Sequence, residues 1–278
     1  MRTHRVQGGG GVGLHVTDQG PQTAPALVLI HGWSQGHVCW RKQAELADRF
    51  RLVTFDLRGH GASDAPQDVA AYTDTALWAA DVKAVIEALG LVTPVLVGWS
   101  YGARVIASYL ATYGDAGLAG FVSAGGLLAI GGLREDWMVG PASPGLHRDL
   151  YTDDTARRTA ATHDFLTACS EAPLEDTALF DDLVAANMIC TPLVRRALFG
   201  ADWDLRPTFQ TVTKPALVIH GVEDRVVEPL TGITASETIP GADLILYENT
   251  GHMPFIEQAD RFNQDLTDFA TLAFGAAQ

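Results

Sequence analysis

The sequence predicts an α/β protein whose mostly parallel, twisted sheet is flanked by helices, with a helical cap inserted between two of its core strands. Three observations carry that reading. Short apolar runs recur without polar alternation, as strands covered on both faces require. Segments of helical period lie between them, and strand–helix alternation implies a parallel sheet. One long stretch, residues 133–212, carries only helix signals.

In chain order, residues 3–18 with their glycine run read as an antiparallel hairpin at the sheet edge. Ala26-Leu27-Val28-Leu29-Ile30 and Leu52-Val53-Thr54-Phe55 read as buried strands. Trp78, Val82, Val85, Ile86 and Leu89 share one helical face, and Gly90 stands where a helix-terminating glycine belongs. Val95-Leu96-Val97 is the next strand, and a helix should run from just after Ser100 to about Tyr113. Gly120-Phe121-Val122, Ala216-Leu217-Val218-Ile219 and Leu244-Ile245-Leu246-Tyr247 complete the strands, and a helix over about Phe255–Phe274 closes the chain. Within 133–212, Leu179, Leu183, Ala186 and Cys190 align on one face. Thr191-Pro192 reads as an N-cap followed by proline in the first turn. The expected division is therefore a core of residues 1–132 and 213–278 and a cap of 133–212.

Bulk properties narrow the function. The 278-residue chain is 47% apolar and 19% charged, ordinary for a globular enzyme with a sizeable core. Nineteen basic and thirty-three acidic side chains give a net charge of −14, which argues against nucleic acid or an anionic membrane surface as partner. Cys39, Cys169 and Cys190 are widely spaced and form no CxxC pair, so they read as small buried side chains in a reducing compartment. No apolar signal segment follows Arg2 and Arg5, and no run of eighteen apolar residues occurs. The expected location is the cytoplasm. Oligomeric state is not encoded in any of these features.

Gly98-Trp99-Ser100-Tyr101-Gly102 lies between a strand and a helix, the setting of a nucleophile elbow. A serine there sits on a strained turn, and its flanking glycines let strand and helix approach closely. The helix N-terminus also favours negative charge developing at the site. An unaided hydroxyl is a poor nucleophile, so a base must take its proton.

The chain order for such an elbow is serine, acid, histidine. Of nine histidines, His252 alone follows every plausible acid, in a loop just past the strand ending at Tyr247. Asp224 follows the strand ending at Ile219 and is the preferred acid, with Glu223 and Glu248 as alternatives. It would hold the imidazole tautomer and stabilise its charged form. His31, His60 and His220 each precede a glycine and read as hydrogen-bonded turn histidines. Backbone N–H groups of Tyr101 and Trp33 are the candidate oxyanion donors.

His31-Gly32-Trp33, the Asp56–Ser63 turn, the Ser100 pentapeptide, Gly221-Val222-Glu223-Asp224 and Gly251-His252 together resemble the α/β-hydrolase superfamily over essentially the whole chain. Within it, the tryptophans of HGW and GWS resemble the branch of esterases, lactonases and cofactor-free haloperoxidases (perhydrolases). The resemblance supports Trp33, Tyr101 and Asp224 in the roles given, and makes Asp56, Arg58, Gly59 and Gly61 structural. It implies a carboxylic ester or lactone as small-molecule substrate, with no metal and no cofactor.

The expected reaction is acyl transfer: Ser100 attacks the carbonyl, His252 shuttles the proton, and water releases the acyl group. Trp99, Trp137, Phe165 and Met188 are candidates for the substrate pocket, with Phe180, Phe199 and Trp203 as further aromatic options. Serine at position 100 tells against the carboxylate-nucleophile dehalogenases and epoxide hydrolases of the same fold. Carbon–carbon bond hydrolysis or perhydrolysis by the same three residues is the alternative chemistry, and a non-catalytic ligand-binding protein the alternative class.

Overall fold

A computed structural model describes residues 1–276. The N-terminal hairpin pairs β1 (Arg2–Gln7) antiparallel with β2 (Gly13–Gln19), and β1 forms one sheet edge. Then follow β3 (Ala26–Ile30), β4 (Arg51–Phe55), β5 (Val95–Trp99) and β6 (Gly120–Ala124). A two-residue ribbon joins β7 (Ala129–Ile130) to β8 (Trp203–Asp204). Returning to the main sheet, β9 (Ala216–Gly221) and β10 (Asp243–Tyr247) complete it.

The eight strands run β1-β2-β4-β3-β5-β6-β9-β10. From β4 to β10 every pairing is parallel. All residues of β3, β4, β5, β6 and β9 are buried, which is why these strands lack alternation. At the far edge β10 is largely half-exposed. The strand order reverses at β3, whose neighbours are β4 and β5. Loops leaving the C-terminal ends of β3 and β5 diverge there and open a crevice, the usual ligand position in such sheets.

Helices cover both faces. A single turn, α1 (Ala70–Thr73), leads into α2 (Thr75–Ala88), which Asp74 caps by accepting from the Ala76 N–H. Trp78, Val82 and Val85 of α2 are buried, and Gly90 takes the predicted left-handed conformation at φ 59°. The helix after Ser100, α3 (Tyr101–Tyr113), ends where its sequence predicts.

Between β6 and β9 lie four 3-10 turns over residues 131–151 and then α4 (Thr155–Ala168), α5 (Thr177–Ile189), α6 (Pro192–Ala197) and α7 (Arg206–Phe209). Asp154, Asp176 and Thr191 cap the first three through side-chain oxygens. β8 lies in this otherwise helical stretch; two half-buried residues are too short to leave a periodic signature.

After β9 come α8 (Pro229–Thr238), α9 (Pro254–Glu257) and α10 (Ala259–Ala276). The closing helix is thus two helices, broken at Gln258 (φ −126°, ψ 55°). Cys39, Cys169 and Cys190 are free and buried. Among the described residues no helix is long and apolar enough to cross a membrane.

Candidate active site

Ser100 occupies the turn between β5 and α3 at φ 54° and ψ −113°, a conformation side chains rarely adopt. Its backbone N–H donates to the Ala124 carbonyl at 2.9 Å, tying the turn to β6. The flanking glycines are required by close approach. A Cβ on Gly98 would stand 2.7 Å from the Gly102 carbonyl, and one on Gly102 only 2.4 Å from the Ile30 oxygen. Such a turn lifts the Ser100 side chain above the sheet at the head of α3.

His252 and Asp224 arrive from loops after β10 and β9. His252 Nδ1 lies 2.7 Å from Asp224 Oδ2, and both side chains are buried. Asp224 Oδ1 accepts the backbone N–H groups of Val226 and Val227, at 2.8 and 3.0 Å. Burial alone would raise the Asp224 pKa. Interactions with His252 and His220 outweigh it and hold the carboxyl well below the usual range.

His220 does more than the sequence expects of a turn histidine. Its Nε2 lies 3.1 Å from the same Asp224 oxygen that His252 uses, and 3.1 Å from the Val227 carbonyl. The His-Gly-x-x-Asp spacing alone is no signal, since His60 and Asp64 share it without pairing, and only the fold brings His220 onto Asp224. His31 and His60 keep their structural reading. The His31 ring spans the Gly32 carbonyl and the Leu57 N–H, and burial lowers it to about 3.

Several hydrogen bonds fix the His252 loop. Its backbone N–H donates to the Cys169 carbonyl at 2.7 Å, and its own carbonyl accepts the Trp99 indole N–H at 2.8 Å. Glu257 accepts the N–H groups of Gly251 and Met253 on either side. Glu223, the alternative acid, instead accepts the Thr250 N–H and braces the same loop. The carbonyl of Glu248 accepts from Gln258.

Ser100 and His252 line one cavity with Trp33, Trp99, Leu127 and Phe165. Its remaining wall is Arg134, Ser143, Pro144, Phe199, Val226 and Val227. The backbone N–H groups of Trp33 and Tyr101 donate to no other group among the described residues. Of the pocket candidates, the structure brings Trp99 and Phe165 to this cavity. Trp137 is elsewhere, its indole N–H on Glu135 at 3.0 Å, and Met188 packs its sulfur against Thr162 and Arg195. Helical spacing cannot tell a cavity-facing aromatic residue from one facing a neighbouring helix, so Trp137 and Met188 were indistinguishable from Phe165. Arg134 and Ser143 carried no sequence signal, because they stand on irregular turns.

A further group of possible ligands forms where no spacing predicts it. His15, His37 and Asp56 offer atoms that lie within 4.8 Å of one another. The Asp56 carboxylate is already engaged, Oδ1 by the His37 N–H and Nδ1 and Oδ2 by the Ala62 N–H. It acts as the brace of its turn, as expected, and this group does not line the Ser100 cavity. Arg58 is equally structural, with two bonds of 2.7 Å to Asp81 inside the fold.

The family model described as alpha/beta hydrolase fold matches residues 25–259. The chain belongs to this family. An esterase from Rhodococcus superimposes with a TM-score of 0.92 at 34% identity, covering 98% of this chain and 99% of that one. A pimeloyl-[acyl-carrier protein] methyl ester esterase of Stenotrophomonas maltophilia is 32% identical, over 92% of this chain and 95% of its own. A bifunctional esterase/perhydrolase of Acinetobacter calcoaceticus is 28% identical, over 93% and 96%. These family members share the expected esterase and perhydrolase branch.

Proposed function

We propose that the protein hydrolyses a carboxylic ester or lactone through an acyl-enzyme on Ser100. The observation that carries this is the 2.7 Å contact between Asp224 Oδ2 and His252 Nδ1, beside a serine held in a strained elbow. With Nδ1 engaged, His252 Nε2 is the nitrogen available for the Ser100 proton. Ser100 Oγ then attacks the substrate carbonyl, and the imidazolium gives its proton to the leaving alkoxide. The N–H groups of Trp33 and Tyr101 receive the oxyanion. Water, deprotonated by His252, opens the acyl-enzyme and regenerates Ser100.

In this reading residues 133–212 form the lid, since Arg134, Ser143, Pro144, Phe165 and Phe199 roof the cavity. The names of the esterase relatives point the same way. A relative named for perhydrolase activity fits one variation, in which hydrogen peroxide replaces water at the second step. A fluorophosphonate probe tests the nucleophile: labelling should map to Ser100 and vanish in Ser100→Ala. Activity against esters of graded acyl length should be lost in the same variant. A folded protein that resists the probe and turns over no ester would sink the proposal.

A further inference from the structure

Arg134 is an unusual group to find in this cavity. It lies on the segment between β7 and α4 and shares the cavity wall with Ser100, His252 and otherwise apolar or neutral side chains. Its Nη2 donates to the Ser143 hydroxyl at 2.8 Å, and its guanidinium carbon stands 5.6 Å from the Phe199 ring centre. Its Nε is buried with no hydrogen-bond partner. No carboxylate among the described residues pairs with it. Burial works against the charge and lowers its pKa.

Arg134 is half-buried, and the more deeply buried arginines lie away from the Ser100 cavity, although Arg104 and Arg158 also have unpartnered nitrogens. Arg58 is paired with Asp81, and Arg195 donates to the carbonyls of Cys190, Leu150 and Asn187. Arg104 packs against the rings of Trp78, Tyr101 and Trp203. Arg134 differs because it lines the cavity that Ser100 and His252 also line. A half-buried cation without an anion leaves part of its desolvation cost uncompensated, and a ligand carboxylate would offset it.

The same residue also lines an outer groove, together with Arg148, Arg196, Tyr151 and Phe199. Arg196 donates to the Tyr151 carbonyl, and Arg148 is exposed. The one acid on that groove, Asp202, accepts the Gly132 N–H. Three cations against one carboxylate make this mouth positive on a chain whose net charge is −14. A cleft of one sign concentrates ligands of the other.

We propose that the substrate is an ester bearing a carboxylate at its non-reacting end, and that Arg134 receives this carboxylate while Ser100 addresses the ester. Arg134 stands where the catalytic cavity meets the groove, so the anionic end points outward to the mouth. Arg148 and Arg196 draw it in. A guanidinium suits the task, since its planar fork matches a carboxylate. The inference rests on the esterase reading, and it specifies the substrate class.

The test compares monoethyl glutarate with ethyl 5-oxohexanoate, in which a methyl ketone replaces the carboxylate. The ratio of their kcat/KM values in the wild type should favour the anionic ester by about tenfold or more. Arg134→Gln should lower that ratio at least about tenfold, and Arg134→Lys should restore part of it. Added salt should slow the anionic ester alone. A purely structural Arg134 would lower both substrates together and leave the ratio unchanged, and that outcome overturns the proposal. Calorimetric binding of the same two esters to Ser100→Ala, with and without Arg134→Gln, reads the preference without turnover. Equal discrimination in both backgrounds also overturns it. Absence of turnover with both esters, alongside an Arg134-dependent binding preference, would instead count against the esterase reading alone.

Discussion

Asp224 Oδ2 stands between two imidazoles, His252 at 2.7 Å and His220 at 3.1 Å, while Oδ1 is taken by two backbone N–H groups. Under the proposed mechanism the first imidazole moves the proton and the second fixes the carboxylate that steers it. Asp224→Asn should present the wrong histidine tautomer to Ser100 and cut kcat about 10,000-fold with the fold intact, measured on any accepted ester. His220→Ala removes one hydrogen bond to a charged group, so kcat/KM should fall about 10- to 100-fold. Without that bond the Asp224 carboxylate is held less firmly against His252, so the loss should fall on kcat and leave KM unchanged. His220→Gln keeps a donor near Nε2 and should recover part of the rate. An unchanged kcat with reduced stability would assign His220 to packing alone. His252 was legible because chain order excludes every other histidine, and Asp224 because it follows a strand end. The approach of His220 to Asp224 was not, since three histidines precede glycines at turns and only tertiary packing separates their roles.

At the level of elements, the turn joining β5 to α3 is constrained from three sides, by Ile30, by Gly102 and by the bond from Ser100 to Ala124. Gly102→Ala would place a methyl group 2.4 Å from the Ile30 carbonyl oxygen, where backbone must yield. Overpacking of this kind costs about 1–3 kcal/mol, readable as a lower urea midpoint. Because the displaced atoms belong to the elbow, fluorophosphonate labelling should slow by more than the stability loss explains. Equal labelling rates would separate the glycine from the site. This turn was legible in advance, since glycine spacing and a strand–helix boundary coincide there. The insertion was legible only as helical. Its caps at Thr191 and its buried face through Leu183 follow from local chemistry. Its 3-10 turns do not, because three or four residues are too few to show a period, and the strand Trp203–Asp204 does not, because its partner is distant in sequence. The closing helix read as continuous for the opposite reason. Nothing apolar marks the break at Gln258, whose amide is drawn to the Glu248 carbonyl and Thr250 hydroxyl.

On the scale of the whole molecule, buried charge and buried neutrality set how the fold responds to acid. Sheet order and layering were readable from apolar runs, but which titratable groups the core encloses depends on tertiary packing. His31 and His60 are both enclosed, with rings 5.0 Å apart. Burial lowers His31 to about 3 and His60 to about 4, with Asp56 opposing this in each case. Both are therefore neutral in the folded protein at pH 6, whereas an unfolded chain titrates them near 6.5. Between about pH 6.5 and 4 the unfolded state binds more protons, so stability rises with pH across that window and is lost as pH falls. Each histidine contributes a limiting slope of about 1.4 kcal/mol per pH unit. Below it a second loss sets in, as the unfolded chain protonates Asp18 near the ordinary carboxylate value while Arg2 and Arg51, against burial, hold the folded carboxyl at about 2. Urea midpoints at pH 7.5, 6 and 5 should therefore decline well before carboxylates titrate, with activity at pH 7.5 unaffected by a prior return from pH 6. Imidazole NMR should show both rings still neutral at pH 5 in the folded protein. A midpoint that stays level from pH 7.5 to 5 would mean that these histidines accept protons without unfolding, and that the core beneath the Ser100 cavity admits charge.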